Sequence, residues 1–72
     1  MGKAPFLNIS NRLKVLRAEK NITQEELALA VGVTRVTINH IENGAYRPSL
    51  ELAFQLSRFF GQTIEEIFRV EK

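Results

Sequence analysis

Four side chains between residues 34 and 43 are of types that can read nucleic-acid bases, and their spacing brings them together. The planar fork of Arg35 matches the O6 and N7 atoms of guanine, and the amide of Asn39 carries the donor and acceptor that adenine requires. Val36 can contact a thymine methyl group, and His40 lies one position beyond Asn39. If the segment is a helix, these four residues share its outer face, which predicts a base-contacting surface.

A second group of side chains nearby is suited to contacting the phosphates of a nucleic-acid backbone. We predict this role for six polar residues around the same segment: Gln24, Thr34, Thr37, Asn43, Tyr46 and Arg47. Gln24 opens a helix, where backbone N–H groups favour an anion. Each residue also has an ordinary structural alternative: Thr34 can cap a helix, Asn43 can end one, and the others can be solvated surface residues.

The segment that carries these side chains has the caps and the apolar spacing of two short helices joined by a tight turn. Thr23 and Glu26 form a capping box at the start of the first of them. Gly32 follows its apolar stripe, where a left-handed residue without a Cβ atom is favoured. Ile38 and Ile41 then recur at the spacing of the inner face of a second helix. This pattern predicts a helix-turn-helix, although a helical hairpin in a small bundle would also produce it.

Three further helices are predicted in the rest of the chain, which contains almost no strand signal. The first helix runs from Ser10 to Lys20, with Ile9 on its inner face. The fourth is capped by Ser49 and runs to Phe60, and the fifth opens at a second capping box, Thr63-x-x-Glu66. The predicted fold class is therefore all-α, a compact five-helix domain with the helix-turn-helix at its second and third helices.

We divide the chain into one domain with a short segment at each end. Residues 1–8 are predicted to be an extended or flexible arm, residues 9–68 the domain and residues 69–72 a short tail. Phe6 and Leu7 of the arm are predicted to form a short β-bridge with residues 68–70. The apolar residues at helical spacing form the predicted core: Leu13, Leu16, Leu27, Val31, Ile38, Ile41, Leu50, Leu56, Phe60, Ile64 and Ile67.

The composition limits the classes of function. A chain of 72 residues has room for one domain. It has no cysteine and one histidine, which argues against a metal site, and it lacks the paired nucleophile and base or the glycine-rich loop of an enzyme or a cofactor site. No apolar run approaches about 18 residues and no signal-peptide pattern is present, so we expect a cytoplasmic protein without a membrane segment. No site for a small-molecule effector is evident.

The charge distribution favours an anionic partner. The net charge is +2, and residues 1–47 carry seven Lys or Arg against four Glu, whereas residues 48–72 carry three against four. The positive excess therefore coincides with the part of the chain that contains the helix-turn-helix pattern.

Five short motifs together resemble the phage-repressor-like (Cro-type or XRE) helix-turn-helix family over residues 11–68. They are TQEELA (23–28), GVT (32–34), INHIENG (38–44), RPSLELA (47–53) and TIEEIF (63–68). The resemblance implies a lambda-repressor-like five-helix fold and a transcriptional regulator, here a repressor, that binds specific sequences of double-stranded DNA as a two-fold dimer. Members often carry Gln where this chain has Val36, so the bidentate contact of Gln with adenine is not available at this position.

Apolar residues in excess of what a small core needs predict that the chain forms a homodimer. We place the interface at the C-terminal part of the domain, on Ile64, Phe68 and Val70. A two-fold dimer would hold its two recognition helices about 34 Å apart, which is one turn of the duplex. The alternative function is that of an antitoxin or adaptor module whose main role is to bind a partner protein.

Overall fold

The helix ends follow local capping signals in the computed structural model, which describes residues 7–71. The helices are α1 (Leu13–Lys20), α2 (Gln24–Val31), α3 (Arg35–Glu42), α4 (Leu50–Phe60) and α5 (Ile64–Ile67). The capping box of Thr23 and Glu26 is confirmed: the Glu26 N–H donates to Thr23 Oγ1 over 3.0 Å, and the Thr23 N–H donates to Glu26 Oε1 over 2.8 Å. The second predicted capping box, on Thr63 and Glu66, is confirmed in the same way. Within the described range, none of these helices has the length and apolar character needed to cross a membrane.

The turn between α2 and α3 depends on one left-handed glycine. Gly32 has a φ of 78°, a conformation that residues with a Cβ atom adopt only with strain. The Val33 N–H then donates to the Ala28 carbonyl over 3.0 Å, which closes the end of α2. Thr34 caps α3 by accepting from the Thr37 N–H over 3.2 Å. The predicted helix-turn-helix is thus confirmed, together with the residues that shape it.

A small antiparallel sheet joins two segments at opposite ends of the domain, so the fold is mostly helical rather than all-α. Its strands are β1 (Asn8–Asn11) and β2 (Phe68–Glu71), with Ile9 opposite Val70. A strand pairing with residues 68–70 is present as predicted, but the predicted register, with Phe6 and Leu7 as the partners, is wrong. The partners are residues 9–11, whereas Leu7 precedes β1 and Phe6 lies outside the described residues.

The predicted start of α1 is wrong, because the residues before it belong to β1. Ser10 is extended and pairs with β2 instead of capping a helix, and Ile9 lies in the sheet instead of on a helix face. Asn11 takes over part of the cap: its Oδ1 accepts from the Leu13 N–H over 3.1 Å, and its Nδ2 donates to the Ile41 carbonyl over 2.9 Å. Backbone pairing with a distant strand therefore outweighs the local preference of serine for a helix start.

The helices enclose one core, and most of its residues were predicted. Those confirmed as buried are Leu13, Leu16, Leu27, Val31, Ile38, Ile41, Leu56 and Ile67. Phe60 and Ile64 are only half-buried. The prediction for Leu50 is wrong: its side chain is 74% exposed, and Leu52 is buried instead. Because residues two positions apart point about 200° apart on a helix, only one of these two leucines can face the core.

Candidate nucleic-acid interface

The outer face of α3 carries the four side chains predicted to contact bases. Arg35 and His40 are exposed, Val36 is 49% exposed, and Asn39 is half-buried. The side chains of Arg35 and His40 have no hydrogen-bond or ion-pair partner within residues 7–71. The structure therefore brings the four residues to one surface, where the guanidinium of Arg35 can meet an acceptor on another molecule.

The inner face of α3 holds this surface in place. Ile38 and Ile41 are buried in the core, together with Leu27 and Ala28 of α2. Burying side chains of this size stabilises the docked helix by about 1.5–3 kcal/mol each. The base-contacting candidates are consequently carried by a rigid element rather than by a loop.

A buried ion pair joins α1 to the end of α3. Arg17 donates from Nε to Glu42 Oε2 over 2.6 Å and from Nη2 to Glu42 Oε1 over 3.1 Å, which is a bidentate arrangement. A third bond runs from Arg17 Nη1 to the Ile22 carbonyl over 3.1 Å. The side chain of Glu42 is only 1% exposed. The pair thereby fixes the last turn of α3 against α1 and against the segment that leads into α2.

The ion pair also determines the charge of Glu42. Burial raises the pKa of its carboxyl group, but hydrogen bonds from Arg17 and Gln24, with the attraction of Arg17 and Lys14, outweigh burial and leave the pKa below its ordinary value. The hydrogen bond to Glu42 in turn raises the pKa of Arg17. At neutral pH the Glu42 side chain is therefore a carboxylate that can only accept hydrogen bonds.

Acid should destabilise the protein through Glu42. Because the folded state lowers the pKa of this carboxyl, its contribution is complete above the unfolded value of about 4.3 and is lost as the pH falls through the folded value. We expect the free energy of unfolding to be level between about pH 7 and 5 and to fall below about pH 4, as measured by urea unfolding followed by circular dichroism. The variant Glu42→Gln should lose part of this slope, whereas Glu51→Gln, at an exposed position of α4, should keep it. An unchanged slope in Glu42→Gln would show that other groups cause the acid sensitivity.

The side-chain amide of Gln24 is occupied within the protein. Its Nε2 donates to Glu42 Oε1 over 3.0 Å and to Asn39 Oδ1 over 3.2 Å. A phosphate offers acceptors only, so it would have to compete with these two partners for the same N–H groups. The phosphate contact of Gln24 therefore stays a prediction.

The other phosphate-contact candidates lie in the first turn of α3 and in the segment that follows this helix. Thr34 acts as the cap of α3, and its hydroxyl lies 3.1 Å from that of Thr37. Asn43, Tyr46 and Arg47 are exposed in the segment that follows α3. The guanidinium of Arg47 also donates to the carbonyl of Leu7, which ties this segment to the chain before β1. These positions are compatible with phosphate contacts, which stay predictions.

A family model for the helix-turn-helix matches residues 13–67, from the start of α1 to the end of α5. The chain belongs to the XRE-type helix-turn-helix family.

The relatives in this helix-turn-helix family are named as regulators of transcription. An uncharacterized HTH-type transcriptional regulator of Methanocaldococcus jannaschii is 54% identical over 63 residues, which cover 88% of this chain and 96% of the relative. The transcriptional repressor RstR of the cryptic phage CTXphi in Vibrio cholerae is 36% identical over 58 residues, which cover 81% of this chain and 52% of the relative. The transcriptional activator BcrR of Enterococcus faecalis is also 36% identical, over 92% of this chain and 32% of its own length.

Two residues that organise this helix-turn-helix domain were not predicted, namely Arg17 and Glu42. One signal for them exists in the sequence. An acidic residue in the last turn of a helix is disfavoured by the helix dipole, and Glu42 adjoins the buried Ile41. Such a carboxylate needs a cation, but four basic residues lie in or beside α1, and the sequence does not say which of them reaches it.

The residues predicted at the dimer interface differ in exposure. Ile64 and Phe68 are half-buried, and Phe68 packs against the core, whereas Val70 is 61% exposed. Val70 and Ile9 are directly opposite in the register of the sheet, so both side chains lie on the same face. The helix-turn-helix domain thus carries an apolar pair on its sheet, a feature that the sequence prediction included only in part.

Proposed function

We propose that this protein is a transcriptional regulator that binds specific sequences of double-stranded DNA, with α3 placed in the major groove. The observation that carries the proposal is the outer face of α3, where Arg35 is exposed and unpaired within residues 7–71 beside Val36 and His40. A buried polar partner would have given Arg35 a structural role, as Glu42 does for Arg17. An exposed arginine on the second helix of this motif is suited to guanine instead.

The size of the helix supports this placement. An α-helix with its side chains is about 10–12 Å across, which fits the major groove of about 12 Å, and the eight residues of α3 span about 12 Å along the helix axis. The positive excess of residues 1–47 and the family of the chain point to the same ligand. A regulator of this kind acts where the DNA is, so we place it in the cytoplasm.

We propose further that the protein represses transcription and acts as a two-fold dimer. Repression needs only that the bound domain occludes the DNA, and one relative is named as a repressor. The apolar pair of Ile9 and Val70, with the half-buried Phe68 and Ile64, is our candidate for the interface.

Selection of random duplex DNA on the purified protein, at about 50 and 200 mM salt, tests the proposal. We expect an enriched inverted repeat whose half-sites lie about one duplex turn apart. One enriched half-site without a repeat would contradict the dimer but not sequence-specific binding. Salt-sensitive binding without any enriched sequence would contradict specificity, and no binding even at low salt would favour a partner protein as the ligand.

The variant Arg35→Ala should weaken binding to the selected site and relax its sequence. Loss of a bidentate contact to guanine should cost roughly 1–3 kcal/mol, or about 5- to 150-fold in affinity. Fluorescence anisotropy with the selected duplex, and with duplexes altered at one base pair, measures both effects. Arg58→Ala is the matched control, because Arg58 is exposed on α4 outside the helix-turn-helix. If both variants lost affinity equally and kept the same preference, α3 would not be the reading element.

A further inference from the structure

The buried carboxylate of Glu42 fixes the orientation of the Gln24 side chain. Glu42 is held as a carboxylate by the bidentate bonds from Arg17, and it can only accept hydrogen bonds. The Gln24 atom that lies 3.0 Å from Glu42 Oε1 must therefore be the donor Nε2, because an amide oxygen there would meet a second acceptor. The orientation of the Gln24 amide follows from the ion pair.

The orientation of Gln24 in turn fixes that of Asn39. The second N–H of Gln24 Nε2 points to Asn39 over 3.2 Å, so the Asn39 atom that faces it must be the acceptor Oδ1. Asn39 Nδ2 then lies on the side of the amide that is turned from Gln24. This nitrogen makes no hydrogen bond within residues 7–71. Hydrogen bonds thus link four side chains from three helices in a row, and the last of them, Asn39, keeps its amide nitrogen available as a donor.

We infer that Gln24 is a positioning residue that makes Asn39 present a hydrogen-bond donor, so that Asn39 selects an acceptor on the DNA. The inference rests on the proposed function. Recognition of adenine by asparagine uses both amide atoms, with the oxygen accepting from N6 and the nitrogen donating to N7. The bond from Gln24 takes one of the two lone pairs of this oxygen and fixes the plane of the amide, so that the nitrogen is the atom turned outward. Asn39 is then suited to an acceptor on guanine, which offers two, or on thymine, which offers O4. This differs from the sequence-based prediction that Asn39 reads adenine.

The experiment is the same duplex selection, carried out with the parent protein and with variants of both residues. Asn39→Ala first identifies the base position that Asn39 reads, as the position whose preference disappears. At that position the parent should enrich guanine or thymine over adenine. Asn39→Asp, which has the same shape but presents an acceptor, should shift the preference to cytosine, whose N4 donates.

The decisive variant is Gln24→Ala, which releases the oxygen of Asn39. The ratio of adenine to guanine bound at the Asn39 position should rise roughly 2- to 12-fold, as one hydrogen bond permits. Gln24→Met, whose side chain has a similar length but cannot donate to Asn39, should move the preference in the same direction and guards against a folding defect of one variant. Gln55→Ala, at an exposed glutamine of α4, is the matched control and should leave the preference unchanged.

The outcomes separate this inference from the proposed function. If the parent enriches no sequence, the proposed function fails and the inference fails with it. If the parent enriches a motif in which adenine stands at the Asn39 position, or if neither Gln24 variant moves that position, the inference alone is overturned. A Gln24→Ala protein that binds all sequences more weakly by one common factor would also overturn it, since Gln24 would then act on the phosphate backbone.

Discussion

Replacing Arg17 by methionine should lower the free energy of unfolding by about 3–5 kcal/mol. The change leaves the carboxylate of Glu42, whose side chain is 1% exposed, buried without its bidentate partner. Domains are stable by only about 5–15 kcal/mol, so this loss is a large fraction of the total free energy of unfolding. Urea unfolding followed by circular dichroism at pH 7 measures the loss.

A double variant distinguishes the cost of an orphaned charge from the value of the pair. Arg17→Met with Glu42→Leu removes both charges and fills the same space, and such exchanges of buried pairs are often neutral or stabilising. We therefore expect the double variant to recover most of the loss. A cost of less than about 1 kcal/mol for Arg17→Met would show that the pair behaves as an exposed salt bridge.

Truncating Ile38 to alanine should lower the free energy of unfolding by about 2–5 kcal/mol. Its side chain is fully buried under α3, in the cluster that contains Leu27 and Ile41. The removed atoms leave a cavity in the place where the recognition helix is anchored. Thermal and urea unfolding, with binding of the selected duplex measured in parallel, test this prediction.

Val36 provides the matched control on the same helix. Val36→Ala also removes apolar carbon atoms from α3, but this side chain is half exposed on the outer face and should change the stability by less than about 0.5 kcal/mol. A comparison of the two variants should therefore distinguish the inner face of α3, which anchors the helix in the core, from the outer face, which we propose contacts DNA. Equal losses of stability in both would contradict the assignment of the inner and outer faces.

The features that the sequence predicts well are those set by residues only a few positions apart in the chain. The capping boxes at Thr23 and Thr63 need residues only three positions apart, and Gly32 takes the left-handed conformation that its turn requires. The apolar period then places Ile38 and Ile41 inward and leaves Arg35 on the outside. The helix-turn-helix and its exposed face could thus be predicted because each signal is local.

The features that escaped prediction depend on residues far apart in the chain. Ser10 looks like the start of a helix until β2 is known to pair with β1. The pairing of Arg17 with Glu42 spans 25 positions, and other basic residues near α1 were equally plausible partners. The contact of Gln24 with Asn39 changes the predicted role of both residues, and it follows from a third side chain, Glu42. Side-chain type alone gives the chemistry available to a residue, whereas its neighbours determine which part of that chemistry faces outward.

The pairing of β1 with β2 also affects how the protein folds during synthesis. The paired residues lie about 60 positions apart, so translation at about 5–20 residues per second separates their appearance by roughly 3–12 s. Throughout this interval the nascent chain carries β1 without its partner strand, and α1 lacks the backbone bond from Arg12 to the Ile67 carbonyl. The helix-turn-helix segment emerges within the interval. The segment that forms α3 is therefore synthesised before the contacts that close the domain around it.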